Sequence, residues 1–97
     1  MDDAGFAPPP FRPAEALVLL KRQLRELKPL AERGERYEIK GRVVITVQAT
    51  DTTIEAHLAR RPATNPEWTP ERLASSLDVR RFVDSVKKRL QQWEREE

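Results

Sequence analysis

The sequence of 97 residues has no cysteine and only three glycines. The absence of cysteine excludes disulfide frameworks, thiolate nucleophiles and zinc sites built on cysteine ligands. The scarcity of glycine leaves little material for a loop that wraps a phosphate group, and no motif of a nucleotide-binding, metallohydrolase or serine hydrolase site occurs. An enzyme is therefore not expected, and neither is a bound cofactor or metal.

Long apolar runs are also lacking, because no stretch approaches the roughly 18 residues that a membrane helix needs. The first residues, MDDAG, lack the basic and apolar regions of an export signal. These features predict a cytoplasmic protein with no membrane partner. The 18 basic and 16 acidic residues nearly balance, which gives a net charge of +2. Attraction to a polyanion would therefore have to come from a local cluster of cations.

The only histidine, His57, lies in the stretch IEAHLARR. It could act as a general base if a carboxylate held its ring, and Glu55 is the candidate on the same side of a strand. Residues two apart on a strand lie roughly 7 Å apart, which is too far for a dependable hydrogen bond. We therefore expect a solvated strand histidine and no catalytic residue.

Proline is concentrated at the beginning of the sequence, where four of the eight prolines fall within the first 13 residues. This composition predicts a flexible, proline-rich tail over residues 1–12, followed by one α+β domain over residues 13–97. The stretch PFRP, at residues 10–13, matches the PxxP pattern that polyproline-binding domains recognise. The pattern is too common to decide between a recognised tail and a plain linker.

A first helix is predicted over residues 13–34, because apolar residues recur at helical spacing and Gly34 would form its C-cap. The stripe comprises Leu17, Leu20, Leu24, Leu27 and Ala31. Leu19 and Leu30 lie on its flank, so the apolar face is wider than one contact requires. Pro29 disfavours helical geometry at the residue before it, which makes the last turn less regular.

Apolar residues recur with a period of two between residues 36 and 59, which predicts strands. Gly41 interrupts the pattern and indicates a bulge or a tight turn, which would separate a short strand over residues 36–40. A polar turn at residues 50–53 then places apolar residues opposite each other. The predicted pairs are Ala49 with Ile54, Val47 with Ala56, and Ile45 with Leu58.

On the polar side of this predicted hairpin, His57 lies opposite Thr46, and Val44 and Ala59 form one further apolar pair. The segment RPATNPEWTP follows, and its three prolines indicate an irregular, stiff backbone. Its tryptophan, Trp68, is expected either to cover one end of the core or to act as a surface recognition residue.

Two helices are predicted after Trp68, the first a short one over residues 69–75 with Pro70 in its first turn. Ser75 and Asp78 then match a capping box, and a stripe of apolar residues predicts a final helix of about 20 residues. The stripe comprises Val79, Phe82, Val83, Val86, Leu90 and Trp93. Cations occupy the other side, where Asp84 is expected to form surface ion pairs with the cations four residues before and after it.

These patterns predict an α+β fold of two layers, helix / two- or three-stranded antiparallel sheet / helix, with both helices on the apolar face of the sheet. We expect a small non-catalytic interaction protein, a homodimer that binds another macromolecule through a protein interface. The predicted interface comprises Leu19, Leu30, Val44, Ala59 and Trp68. The alternative is a nucleic-acid-binding module that uses the cations of the last helix, namely Arg80, Arg81, Lys87, Lys88 and Arg95.

Overall fold

The computed structural model describes residues 10–96 and has an α+β fold in which two helices flank five strands in sequence. The elements are α1 (Pro13–Arg25), β1 (Ala31–Arg33), β2 (Arg36–Ile39), β3 (Arg42–Ala49), β4 (Ile54–Ala59), β5 (Trp68–Leu73) and α2 (Ser76–Glu96). The strands form one antiparallel sheet in the order β1-β2-β3-β4-β5. Most of the predicted tail over residues 1–12 lies outside the described residues.

Helix α1 is shorter than the sequence predicts, because it ends at Arg25 rather than at a cap on Gly34. Pro29 has no N–H group to donate and restricts the residue before it, so a helix cannot continue regularly through this point. Gly34 instead turns the chain between β1 and β2 with a φ of 65°, a conformation that glycine adopts without strain.

The break predicted at Gly41 is a two-residue turn between β2 and β3. Lys40 and Gly41 both have positive φ angles, 52° and 82°, as the favoured short hairpin turn requires. The short first strand is therefore separate from the second. The next hairpin has the predicted register, with Ala49 opposite Ile54, Val47 opposite Ala56 and Ile45 opposite Leu58.

The predicted number of strands, two or three, is too low because two edge strands were missed. The three residues of β1 pair with β2, although the sequence predicts a helix there. The predicted short helix over residues 69–75 is also wrong, since β5 pairs with β4 along its whole length, from Ala59 opposite Trp68 to Ile54 opposite Leu73. Hydrogen bonds to β4 satisfy backbone N–H and C=O groups of β5, and this tertiary pairing overrides the local signals for a helix.

Helices α1 and α2, which we call the helix layer, lie side by side on one face of the sheet. Helix α1 contributes Leu17, Leu20 and Leu24 to the buried core, and α2 contributes Phe82, Val83, Val86 and Trp93. The sheet contributes the residues that alternate toward the helices, such as Tyr37, Ile45 and Val47. The other face of the sheet, which we call the open face, carries Thr46 and His57.

The final helix begins and extends as predicted. The Asp78 N–H group donates to Ser75 Oγ at 3.1 Å, and the Val79 N–H group donates to the Ser75 carbonyl at 3.1 Å, so Ser75 is the N-cap. The Asp78 carboxylate accepts a bond from the Ala74 N–H group at 2.9 Å, one residue before the donor of a standard capping box. Farther along α2, Trp93 Nε1 donates to the Arg60 carbonyl at 3.0 Å.

Candidate interaction surface

His57 occupies the position that the register predicts, opposite Thr46 on the open face. Its Nδ1 lies 3.3 Å from Thr46 Oγ1, and its ring meets the ring of Trp68 edge to face, with 6.5 Å between the centroids. The Glu55 carboxylate is bonded instead to the hydroxyl of Thr53 at 2.8 Å and to Nε of Arg72 at 3.2 Å. The histidine is half-buried and has no carboxylate that orients its ring.

The five residues of the predicted interface do not form one surface. Leu30, Val44 and Ala59 are buried within the chain itself, with 6%, 0% and 0% of their surface exposed. Trp68 shares the open face with Ala59, its cross-strand partner, and lies on the side of the sheet away from Leu19. Of the five, Leu19 is the residue that the helix layer presents to solvent.

Three large apolar side chains are exposed on the helix layer: Val18 (58%), Leu19 (54%) and Leu77 (49%). We call them the helix-layer patch. At 100° per residue, Val18 and Leu19 point away from the buried stripe of α1, and Leu77 points away from the buried stripe of α2. Leu19 lines a groove between the helices together with Ser76 and Val79, so the beginning of α2, where Leu77 lies, is next to Leu19.

The sequence pattern identified only one member of this patch. Val18 and Leu77 could have been found from the same helical angles, because neither falls on the stripe that packs against the sheet. An exposed valine or leucine means little alone, and the patch becomes noticeable only when the fold places α1 beside the start of α2.

All five cations of the predicted basic face are exposed on α2. Arg81, Lys88 and Arg95 are seven residues apart and therefore form a row along the outer side of the helix. Within residues 10–96, none of the five forms an ion pair. The expected pairs of Asp84 with Arg80 and Lys88 are wrong, because exposed side chains on a helix gain little from holding such a geometry.

Both edges of the sheet are poor sites for adding another strand. Edge strand β1 has only three residues. At the beginning of β5, the Arg60 N–H group donates a hydrogen bond to the Glu67 carbonyl. Hydrogen-bonded and non-hydrogen-bonded residue pairs alternate along an antiparallel ladder, so His57 and Pro70 form a non-hydrogen-bonded pair. The nitrogen of Pro70 therefore lies on the outer edge of β5, where it offers no N–H group to an incoming strand.

A cluster of Arg25, Glu32 and Tyr37 fastens the end of α1 to the first hairpin. The Arg25 guanidinium donates twice to the Glu32 carboxylate, at 2.9 and 3.2 Å, and the Tyr37 hydroxyl donates to the same carboxylate at 3.0 Å. The hydrogen bonds from Arg25 are the main reason that the pKa of Glu32 is below its ordinary value. Burial, followed by the hydrogen bond to Glu32, raises the pKa of Tyr37.

Comparison of the chain with protein-family models, with curated proteins and with solved structures gave no match. Neither of the two described helices has the length and apolar character that a membrane crossing requires. In the described part of the chain, histidine, aspartate and glutamate side chains form no group of three that could hold a metal ion.

Proposed function

We propose that the protein is a small non-catalytic interaction protein of the cytoplasm that forms a homodimer and binds another protein. The observation that carries the proposal is the helix-layer patch, three large apolar side chains that are exposed on the helix layer of a small fold, with Leu19 next to the start of α2. Exposed apolar residues that are contiguous mark contact surfaces more often than residues that are scattered singly.

The other surfaces of the sheet give the proposal indirect support. The edges are blocked by Pro70 and by the shortness of β1, which disfavours assembly through added strands. The open face is largely polar and includes the ion pairs of Arg33 with Glu38 and of Arg72 with Glu55. The helix layer is therefore the surface that gains most from contact with a second copy.

Size-exclusion chromatography with light scattering tests the homodimer directly. We expect the wild type to have twice the chain mass at tens of micromolar and Leu19→Glu to be a folded monomer, because a buried, unpaired carboxylate opposes the contact. Gln48→Glu is the matched control, since Gln48 is exposed on the open face of the sheet, and this variant should remain a dimer. A monomeric wild type would refute the proposal.

A second candidate function is binding of nucleic acid through α2. The observation that favours it is the row of exposed cations, which have no ion pair within residues 10–96. Between residues 79 and 92 a single carboxylate, Asp84, lies among them. Phosphate backbones bind such cations and release counterions, so the affinity depends steeply on salt.

Electrophoretic mobility shifts with duplex and single-stranded oligonucleotides at low salt distinguish this candidate. The double substitution Arg81→Glu with Lys88→Glu should weaken binding and flatten its salt dependence. The matched control is Arg36→Glu with Arg61→Glu, which changes the net charge equally at exposed arginines outside α2. Absence of binding by the wild type, or equal loss in both double variants, removes α2 as a nucleic-acid site.

A further inference from the structure

A pocket of 460 Å³ lies where the end of α1, the turn between β2 and β3, the segment after β4 and the second half of α2 meet. Its volume is within the range of small-molecule sites, about 300 to 1,000 Å³. Leu19 does not line it, although Leu27 and Lys87 line both this pocket and the groove between the helices. None of the features discussed above assigns it a role.

The walls of the pocket are apolar and its rim is cationic. The apolar lining comprises Leu27, Pro29, Ile39, Pro62, Leu90 and Trp93. Lys28 and Lys87 lie at the rim on different elements and are both exposed, and Lys40 also lines it. Among the lining residues that the structure describes, Glu94 is the one carboxylate. A lysine can lay its aliphatic stem along an apolar wall and keep its ammonium group at the solvent boundary.

The walls are held in place by contacts outside the pocket. Trp93 is 6% exposed, and its Nε1 is bonded to the Arg60 carbonyl, so its one polar atom is satisfied and the ring offers an apolar surface. Ile39 is 7% exposed. The Arg89 guanidinium donates to the Ala59 carbonyl at 2.8 Å and fastens this part of α2 to β4. A preformed apolar pocket of this kind binds a ligand at a lower ordering cost.

We propose that this pocket binds an amphiphilic carboxylate, an unbranched fatty acid whose hydrocarbon chain lies against the apolar walls and whose carboxylate is held by Lys28 and Lys87. The argument is one of complementarity: an apolar interior excludes a polar ligand, and two ammonium groups at the mouth favour an anionic head over a neutral one. The inference does not depend on the homodimer.

The binding test uses the fluorescence of Trp93 in the full chain. Trp68→Phe removes the only other tryptophan and leaves Trp93 as the reporter in the pocket wall. Octanoate, decanoate and decanol are titrated below their micellar concentrations. We expect decanoate to bind saturably. From octanoate to decanoate the affinity should rise by up to about fourfold for each added methylene. Decanoate should also bind more tightly than decanol.

Lysine variants then test the head group. Lys28→Gln and Lys87→Gln should each weaken decanoate binding several-fold without changing decanol binding, because decanol has no charge to lose. Lys88→Gln is the matched control, since Lys88 is next to Lys87 in sequence and does not line the pocket. Circular dichroism verifies that each variant is folded. The proposal is overturned if decanoate does not bind saturably, if decanol binds as tightly as decanoate, or if Lys88→Gln weakens decanoate binding as much as Lys87→Gln.

Discussion

The Glu32 carboxylate has the largest number of polar partners around α1 and the first hairpin. It accepts hydrogen bonds from Arg25 and from the hydroxyl of Tyr37, a side chain that is fully buried. Because these bonds favour the ionised carboxylate, the pKa of Glu32 is lower in the folded chain than in the unfolded one. The stabilisation from Glu32 is then fully present above the unfolded pKa, near 4.5, and is lost as the pH falls through the folded pKa below it.

Glu32→Gln should therefore reduce the free energy of unfolding at pH 7 and have a smaller effect near pH 3, where the wild-type carboxylate is also becoming neutral. Urea denaturation at the two pH values measures this difference. Glu35→Gln is the matched control, because Glu35 is an exposed carboxylate in the same hairpin without an ion pair among the described residues. An equal loss at both pH values would mean that the ionised carboxylate does not contribute.

His57 shows which contacts of a single residue can be predicted from the sequence. Its partner Thr46 follows from the register, because only one alignment of β3 and β4 places all three apolar pairs together. Its contact with Trp68 could not be predicted, since that contact depends on β5. Because β5 was not predicted, the burial of Ala59 was not predicted either, and Ala59 was assigned to the interface.

At the scale of elements, the best predicted segments are those whose signals are local. Helix α2 has an apolar stripe with a period of 3.6 and its own N-cap, and both are visible in the sequence. Strand β5 is exposed along most of its length and buries fully only Leu73, so it has no alternation to recognise. Its threonine and proline also favour a helix start, and only pairing with β4 overrides that preference.

The N-cap of α2 provides a test at this scale. Ser75→Ala removes the acceptor for the Asp78 N–H group and should lower the free energy of unfolding by about 1 kcal/mol. Ser76→Ala is the matched control, because Ser76 is exposed in the first turn and alanine favours a helix, so this variant should be neutral or slightly more stable. Thermal or urea unfolding of the three proteins measures the effect, and equal stability of both variants would show that Ser75 is not a working cap.

At the scale of the whole molecule, the sequence separated buried from exposed apolar residues only in part. The predicted stripe of α1 left Leu19 on its flank, and Leu19 is exposed in the structure. The sequence also predicted Leu30, Val44 and Ala59 on the protein surface, because a sheet of two or three strands has too little area to bury them. In the five-stranded sheet, Trp68 of β5 lies beside Ala59, and Leu30 and Val44 are buried as well.

If the helix-layer patch joins two copies, the thermal stability of the protein must depend on its concentration. Association stabilises the folded chain by mass action, so a higher concentration favours the folded dimer over unfolded chains. A tenfold rise in concentration changes the association term by about 1.4 kcal/mol, which corresponds to a rise in Tm of roughly 3 to 6 °C for a dimer of two such chains. Circular dichroism over a hundredfold range of concentration measures the shift in the wild type and in Gln48→Glu, which should behave alike. Leu19→Glu should melt at one temperature throughout, because a monomer gains nothing from concentration. A wild-type Tm that stays constant over this range would show that Val18, Leu19 and Leu77 are exposed without a partner copy.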